Sequence, residues 1–317
     1  MALDILTIGE ALVEIMRTGV DQPLDQPGPF SGPYPSGAPF IFAAQAARLG
    51  ARVGAVGAVG DDAFGRCLLN QMRQDGIASG GIRILDTHTT GVAFVAYHAD
   101  GRRDFIFHIA DAAAGQIAPD MLDASLFEGL GCLHLMGSTL SIHQAALNTG
   151  SRALQLARDA GAKFSFDPNL RPQLLPVDQA RAAFAPFLAA ADVIIPTADE
   201  ARILTGTTRL EDSVEILLAD HPDRIVIITQ GAQGCTVYTT AETQHIPSFS
   251  VREVDPTGAG DCFDAGFLVE WLAGKTPAEA ARFANACGAL AVTLQGPMTG
   301  ARPRSEVEAF IASQTSR

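Results

Sequence analysis

The stretch Asp255-Pro-Thr-Gly-Ala-Gly-Asp-Cys-Phe-Asp-Ala-Gly-Phe267 sets three small residues, Gly258, Ala259 and Gly260, ahead of apolar positions. Phe263, Phe267 and Trp271 then recur at helical spacing, so the run reads as a flexible loop opening a helix. The first backbone N–H groups of a helix have no intrahelical acceptor. With the positive end of the helix they make a site for an anion. Small side chains let a phosphate approach that backbone. Asp261 falls in the first turn, where most acids only complement the helix dipole. The sharper role is a general base toward a hydroxyl that attacks a phosphate held by the neighbouring amides.

On the N-terminal side of this run, short apolar segments alternate with longer helical patterns. Asp4–Ile8, Arg52–Val59, Cys132–Met136, Lys163–Phe166, Val193–Ile195 and Arg224–Thr229 read as buried strands. Pro39–Leu49 reads as a helix that stops at Gly50. Ile142–Ala160 reads as another, with Ser141 as N-cap and Gly161 as its stop. Thr276-Pro-Ala-Glu279 has the form of a capping box with proline at the first helical position, and predicts a helix to about Leu294. The order predicts an α/β chain with a central, mostly parallel sheet and helices on both faces, 1–317 forming one unit. Two segments depart from it. Arg17–Pro35 is rich in Pro and Gly. Val92–His98 and Arg103–His108 flank Asp100-Gly101, a hairpin signal. A surface hairpin is the plainer reading of this pattern; a lid over a cleft is the sharper one.

The 317 residues carry 22 Lys+Arg against 35 Asp+Glu, a net charge of −13, with 47% hydrophobic and 18% charged residues. This is the balance of a globular chain and argues against nucleic acid as the main partner. An anionic substrate must be held by local cations or helix ends. No stretch is apolar and long enough to span a membrane, and the N-terminus reads as a first strand, not a signal peptide. Five cysteines without a CxxC pair point to buried thiols in a reducing cytoplasm and against a zinc site.

The run at Asp255–Phe267 resembles the C-terminal signature of the ribokinase-like (PfkB) carbohydrate kinases. Further segments agree in order and spacing: Ser36-Gly-Ala-Pro39, Ala46-Ala-Arg-Leu-Gly50 and Val59-Gly-Asp-Asp-Ala-Phe-Gly65. So do Phe166-Asp-Pro-Asn-Leu-Arg171, Pro196-Thr-Ala-Asp-Glu200, Thr229-Gln-Gly-Ala-Gln-Gly234 and Phe283-Ala-Asn-Ala286. The resemblance covers roughly Asp4 to Gly300. Competing phosphate motifs fail: Gly274-Lys-Thr276 lacks the upstream Gly of a Walker loop, position 269 being Val, and Gly54, Gly57 and Gly60 do not make a GxGxxG fingerprint.

The resemblance implies a ribokinase-like fold with a small β-sheet lid inserted at about 14–35 and 91–109. It implies Asp261 as catalytic base and the amides of Gly258, Ala259, Gly260 and Asp261 as the anion hole. ATP would lie near Thr229, Gly231, Gly234 and Asn285, although a tight turn into the following strand is the plainer account of the two glycines. Glu200 would act on Mg²⁺ through water, with Thr197 where the family has Asn. Asp255 and Thr257 match the region that holds a monovalent cation such as K⁺ in many members. Glu14, Gly37, Phe107, Asn169 and Arg171 match substrate-facing positions. Glu14 stands for the usual Asp and Ile41 for an Asn that often binds sugar hydroxyls, and no Arg follows Phe107 directly. An acid sugar needs a cation for its carboxylate, ideally a bidentate Arg; Arg171 is one candidate, and the second is missing.

Gly9-Glu-Ala-Leu-Val-Glu-Ile-Met16 with Pro35-Ser-Gly-Ala-Pro39 looks most like the tagatose-kinase-type branch. That implies an ATP-dependent kinase acting on a terminal primary hydroxyl of a ketohexose. The alternatives are a 2-keto-3-deoxygluconate kinase or a fructokinase and, from another class, a catalytically silent sugar- or nucleotide-binding regulator. Relatives pair their lids into homodimers, which would hide Phe94, Phe105 and Phe107. His134 reads as a core histidine, His88, His98, His143 and His245 as surface residues, Asp61 and Asp62 as helix-capping acids, and Asp264 as a helix-surface or structural acid.

Overall fold

Apolar runs too short for helices become strands, and the amphipathic stretches between them become the helices that cover those strands. The computed structural model describes residues 2–219 and 221–315. Its strands are β1 (Ile5–Ile8), β2 (Leu12–Arg17), β3 (Phe30–Ser36), β4 (Val53–Gly60), β5 (Ala78–Leu85), β6 (Gly91–Tyr97) and β7 (Arg103–His108). They continue with β8 (Cys132–Met136), β9 (Lys163–Asp167), β10 (Val193–Ile194), β11 (Ile225–Thr229), β12 (Cys235–Tyr238) and β13 (Thr243–Ile246). Nine of them form one sheet in the order β13-β12-β11-β10-β9-β8-β1-β4-β5. Pairing is parallel from β11 to β5, and β12 and β13 add an antiparallel edge.

Alternation along each strand feeds two cores. Ile5, Val53, Ala55, Ile225 and Ile227 face one, with Phe40, Phe42 and Phe267. Leu6, Ile8, Val56, Val226 and Ile228 face the other, with Phe166, Phe184 and Phe187. Apolar side chains on both faces are what a parallel sheet covered by helices on both sides requires.

A second sheet has the order β3-β2-β6-β7. β2 and β6 are parallel, while β3 and β7 are antiparallel to their neighbours. Ala93 lies opposite Phe107, Val95 opposite Phe105 and Tyr97 opposite Arg103. These pairs share one face, because cross-strand partners point the same way. Phe94 opposite Ile106 occupies the other face.

The helix boundaries mostly follow the expected caps. Thr276 and Glu279 form the capping box of the Pro277–Ala291 helix. The helix ends short of Leu294 because the Val292 carbonyl accepts the amides of Val254 and Asp255. Ser141 is not an N-cap: its hydroxyl donates to the Gly137 carbonyl behind it, and the next helix spans Gln144–Asp159. Asp62 caps the Ala63–Asp75 helix by accepting from the Gly65 amide. His134 is buried, stacked on Phe42 at 4.0 Å. Asp264 is not on a helix surface; it is 2% exposed.

Candidate active site

The C-terminal ends of β1, β8, β9, β10 and β11 open toward one face of the second sheet, and the space between is a cavity of about 420 Å³. Ligands of open α/β sheets bind at these strand ends, where helix N-termini also point. Glu10, Ser138, Asp167, Ile195 and Thr229 reach it from the strand ends, and Ala93, Phe105, Phe107 and Arg103 from the second sheet.

The helix Ala259–Leu272 points its N-terminus into this cavity, with Gly258, Ala259, Gly260 and Asp261 in the lining. Cys262 supplies the first intrahelical amide, bonded to the Gly258 carbonyl. The amides of Gly260 and Asp261 therefore precede the helical ladder. Gly258 has φ +84°, and a Cβ there would stand 2.5 Å from the Pro297 carbonyl oxygen. A Cβ on Gly260 would meet no atom within 4 Å. The two glycines differ: the first is required by the turn, while the second leaves open space in front of the backbone, which fits a phosphoryl group. Asp261, 8% exposed, stands beside that space. Burial pushes its carboxyl well above the usual range; Asp167 adds to the effect and Arg171 opposes it.

The acceptor side holds unsatisfied groups. Glu14 Oε1 accepts from Ser36 Oγ at 2.6 Å, while its buried Oε2 has no partner among the described residues. Burial raises the Glu14 carboxyl to about 7, against the Ser36 hydrogen bond. Asn169, at φ +37°, gives its backbone and side-chain amides to Asp167 at 3.0 and 2.8 Å, leaving a buried Oδ1 unpartnered. Buried polar atoms without partners are costly, so these two mark where a hydroxyl-bearing ligand would bind. Gly37, Phe107 and Arg171 line the same space.

Other expected residues are placed differently. Thr229 lines the cavity, but Gly231, Gly234 and Asn285 do not. Gly231 and Gly234 close a tight turn into β12: Gln230 N bonds the Gly234 carbonyl, and a Cβ on Gly234 would stand 2.1 Å from the Ile246 carbonyl oxygen. Asn285 Nδ2 donates to the Ile246 and Pro247 carbonyls at 3.0 and 3.3 Å, fastening its helix to the chain after β13. Asp255 and Thr257 have side-chain partners within the protein: Tyr97 Oη lies 2.9 Å from Asp255 Oδ1 and 3.1 Å from Thr257 Oγ1. Phe105 and Phe107 face the cavity, so they are not part of an exposed apolar face.

Glu200 completes a capping box with Thr197, which fills the N-cap role as an Asn would. Its Oε1 accepts only the Leu170 amide, at 2.8 Å, and keeps a lone pair for water. Among the described residues no group of three His, Cys, Asp or Glu could hold a metal ion. A lone carboxylate with a spare lone pair, as Glu200 offers, suits Mg²⁺, which keeps several waters and takes its other oxygens from phosphates.

Four site residues have no role in the sequence reading. Glu10, buried, accepts from Ser138 and Thr139 at 2.8 and 2.6 Å. Asp167 lies inside the Asp-x-Asn-x-Arg run and was the most findable. Asp264 follows Asp261 by one turn and lines the cavity. Arg103 sits on a strand with no motif, and brings a second guanidinium to the cavity beside Arg171.

An anion cradle beside a buried acid, facing a pocket of hydroxyl acceptors, defines a class of phosphoryl-transfer enzyme whose acceptor is an alcohol. The chain belongs to the pfkB family of carbohydrate kinases, whose pattern it matches over residues 4–304. It is thus a sugar kinase on a ribokinase-like fold. Fructokinase-1 of Zea mays is 34% identical over 313 residues, covering 96% of each chain. An E. coli protein provisionally called Ribokinase II, solved with ATP and Mg²⁺, shares 38% identity at a TM-score of 0.92, covering 99% of this chain and 100% of its own. Fructokinase from Vibrio cholerae O395, solved with fructose, ADP and calcium, shares 27% identity at a TM-score of 0.84, with 97% and 99% covered. No helix among the described residues is long and apolar enough to cross a membrane.

Proposed function

We propose that the protein transfers the γ-phosphoryl group of ATP to a primary hydroxyl of a ketohexose, fructose- or tagatose-like, with Asp261 as general base. The observation that carries this reading is Asp261 beside the open space at Gly260, in the same cavity as Glu14 and Asn169 with their orphaned Oε2 and Oδ1. The relatives named for fructose and the neighbour solved with ATP and Mg²⁺ support it. In this reading Glu14 and Asn169 orient the sugar, Arg171 balances the acids around it, and the amides of Gly258–Asp261 neutralise charge on the transferring group. ATP enters beside Thr229, with Mg²⁺ held by phosphates, water and Glu200.

The second sheet acts as the lid, excluding water from the transfer. Its outer face shows Phe30 at 40% and Ile106 at 44% exposure, an apolar surface suited to pairing lids in a homodimer. Five free thiols suit a cytoplasmic protein.

One observation favours a second acceptor class. Arg103 and Arg171 both line the cavity, so a sugar acid such as 2-keto-3-deoxygluconate would find two guanidinium groups. ADP release measured with fructose, tagatose, 2-keto-3-deoxygluconate, ribose and adenosine decides between them. The ketohexose reading expects the highest kcat/KM with fructose or tagatose, collapsing in Asp261→Asn. A far higher value with the acid sugar overturns it. Binding of sugar and ATP without turnover on any acceptor is the result a silent regulator would give.

A further inference from the structure

We propose that Tyr97 is a positioning residue that couples docking of the second sheet to the anion cradle, standing at Asp255 in place of a monovalent cation. This rests on Gly258–Asp261 being the phosphoryl-transfer site.

Tyr97 ends β6, remote in sequence from the loop it touches. Asp255, 2% exposed, is held by three donors. Its Oδ1 accepts Tyr97 Oη at 2.9 Å and the Thr257 amide at 3.0 Å; its Oδ2 accepts the Gly296 amide at 2.8 Å. Two of these donors come from the backbone beside the cradle, and the third comes from the other sheet. Burial and the adjacent Asp255 push the Tyr97 phenol upward, so it remains a donor. Arg103, opposite Tyr97 on β7, places Nη1 3.4 Å from Thr257 Oγ1. Tyr97 thus reaches both Asp255 and Thr257, and Arg103 on the paired strand reaches Thr257, directly before the left-handed Gly258 that starts the cradle.

The consequence is conditional assembly. With the second sheet docked, Asp255 has its full set of donors and the loop presents the Gly260 and Asp261 amides. With the sheet lifted, a buried carboxylate loses a charge-assisted hydrogen bond and the loop loses its tether. The cradle is then complete only when the acceptor is enclosed, which disfavours transfer to water. Three protein donors on Asp255 thus hold the docked loop in the role a cation would otherwise fill.

The test uses the full chain and its Tyr97→Phe variant. Hydrogen–deuterium exchange across residues 254–261, without ligands, is expected to be severalfold faster in the variant. Its kcat should fall about tenfold to a hundredfold, the loss of one hydrogen bond to a charged group, with KM for ATP within about twofold of wild type. In a buffer of organic cations, added K⁺ should change the wild-type rate less than about twofold and should partly restore the variant. Unchanged exchange and kcat in Tyr97→Phe overturn the proposal, as does a wild-type rate that rises more than about fivefold with K⁺. Exchange is read without turnover, so failure of the kinase assignment and failure of the latch are separate results. Should the variant not fold, the potassium titration of the wild type decides.

Discussion

Asp264 and Asp167 both line the wall of the cavity, where the Asp167 carboxyl adds to the burial that pushes the Asp264 carboxyl well above its usual range. Asp167 takes two donors from Asn169. Asp264 is buried, and Asp167 and Asp261 add negative charge that favours its protonated form. Its Oδ2 lacks a partner among the described residues, and the nearest cationic candidate, His134 Nε2, is 3.8 Å away. His134 cannot neutralise it, because burial pulls that imidazole down to about 3.

Asp264→Asn should therefore stabilise the protein at high pH. A carboxyl whose folded pKa is raised contributes stability below its unfolded pKa near 4, and this is lost as pH rises toward the folded value. Each pKa unit corresponds to about 1.4 kcal/mol. The melting temperature of the variant is expected to exceed that of wild type at pH 8, with the gap closing toward pH 5. A gap that does not change with pH would mean that the proton lies elsewhere.

Asp261→Asn should lower kcat by roughly a hundredfold to ten-thousandfold, the usual contribution of a general base. The cradle amides remain, so the ATP dissociation constant should change little. Calorimetric titration beside steady-state kinetics separates the two; loss of ATP binding in step with kcat would assign Asp261 to binding.

Glu14 sits at about 7, so its charge changes across the working range. Only the ionised form offers Oε2 as an acceptor while Oε1 holds Ser36. For the sugar, kcat/KM should decline below about pH 7, approaching tenfold per unit. Glu14→Gln should be slower and flat over the same interval. A wild-type profile that is level between pH 6 and pH 8 refutes the assignment.

Gly258→Ala and Gly260→Ala should separate folding from catalysis. The first forces a Cβ against the Pro297 carbonyl at positive φ and should destabilise the protein by about 1–3 kcal/mol. The second meets open space, so its melting temperature should stay within a degree or two, while its methyl group occupies the phosphoryl position and cuts kcat at least about tenfold. Equal melting temperatures for the pair would contradict this contrast.

The cradle and the strands around it were legible because their causes are local. An apolar run of strand length, a capping box at Thr276 and Glu279, and small residues before a helix each act within a few residues of chain. The family motifs around them marked Glu14 and Asn169, and the small residues before a helix marked Asp261. Local readings also failed where a remote group competed. Ser141 had the composition of a cap, yet its hydroxyl turned back to Gly137. Asn285, which the resemblance sets near ATP, gives its side-chain amide to the backbone after β13, a contact that no local pattern records.

What the chain determined by itself is the set of elements and the chemistry each one carries. Tertiary structure alone decided which of those chemistries meet: Asp264 with Asp167, Tyr97 with Asp255, and Arg103 with the cavity that also holds Arg171. A one-dimensional pattern records burial and turn preferences, which are properties of short segments. It holds no distance between the end of β6 and the loop before Gly258, because that distance follows from how two sheets pack against each other.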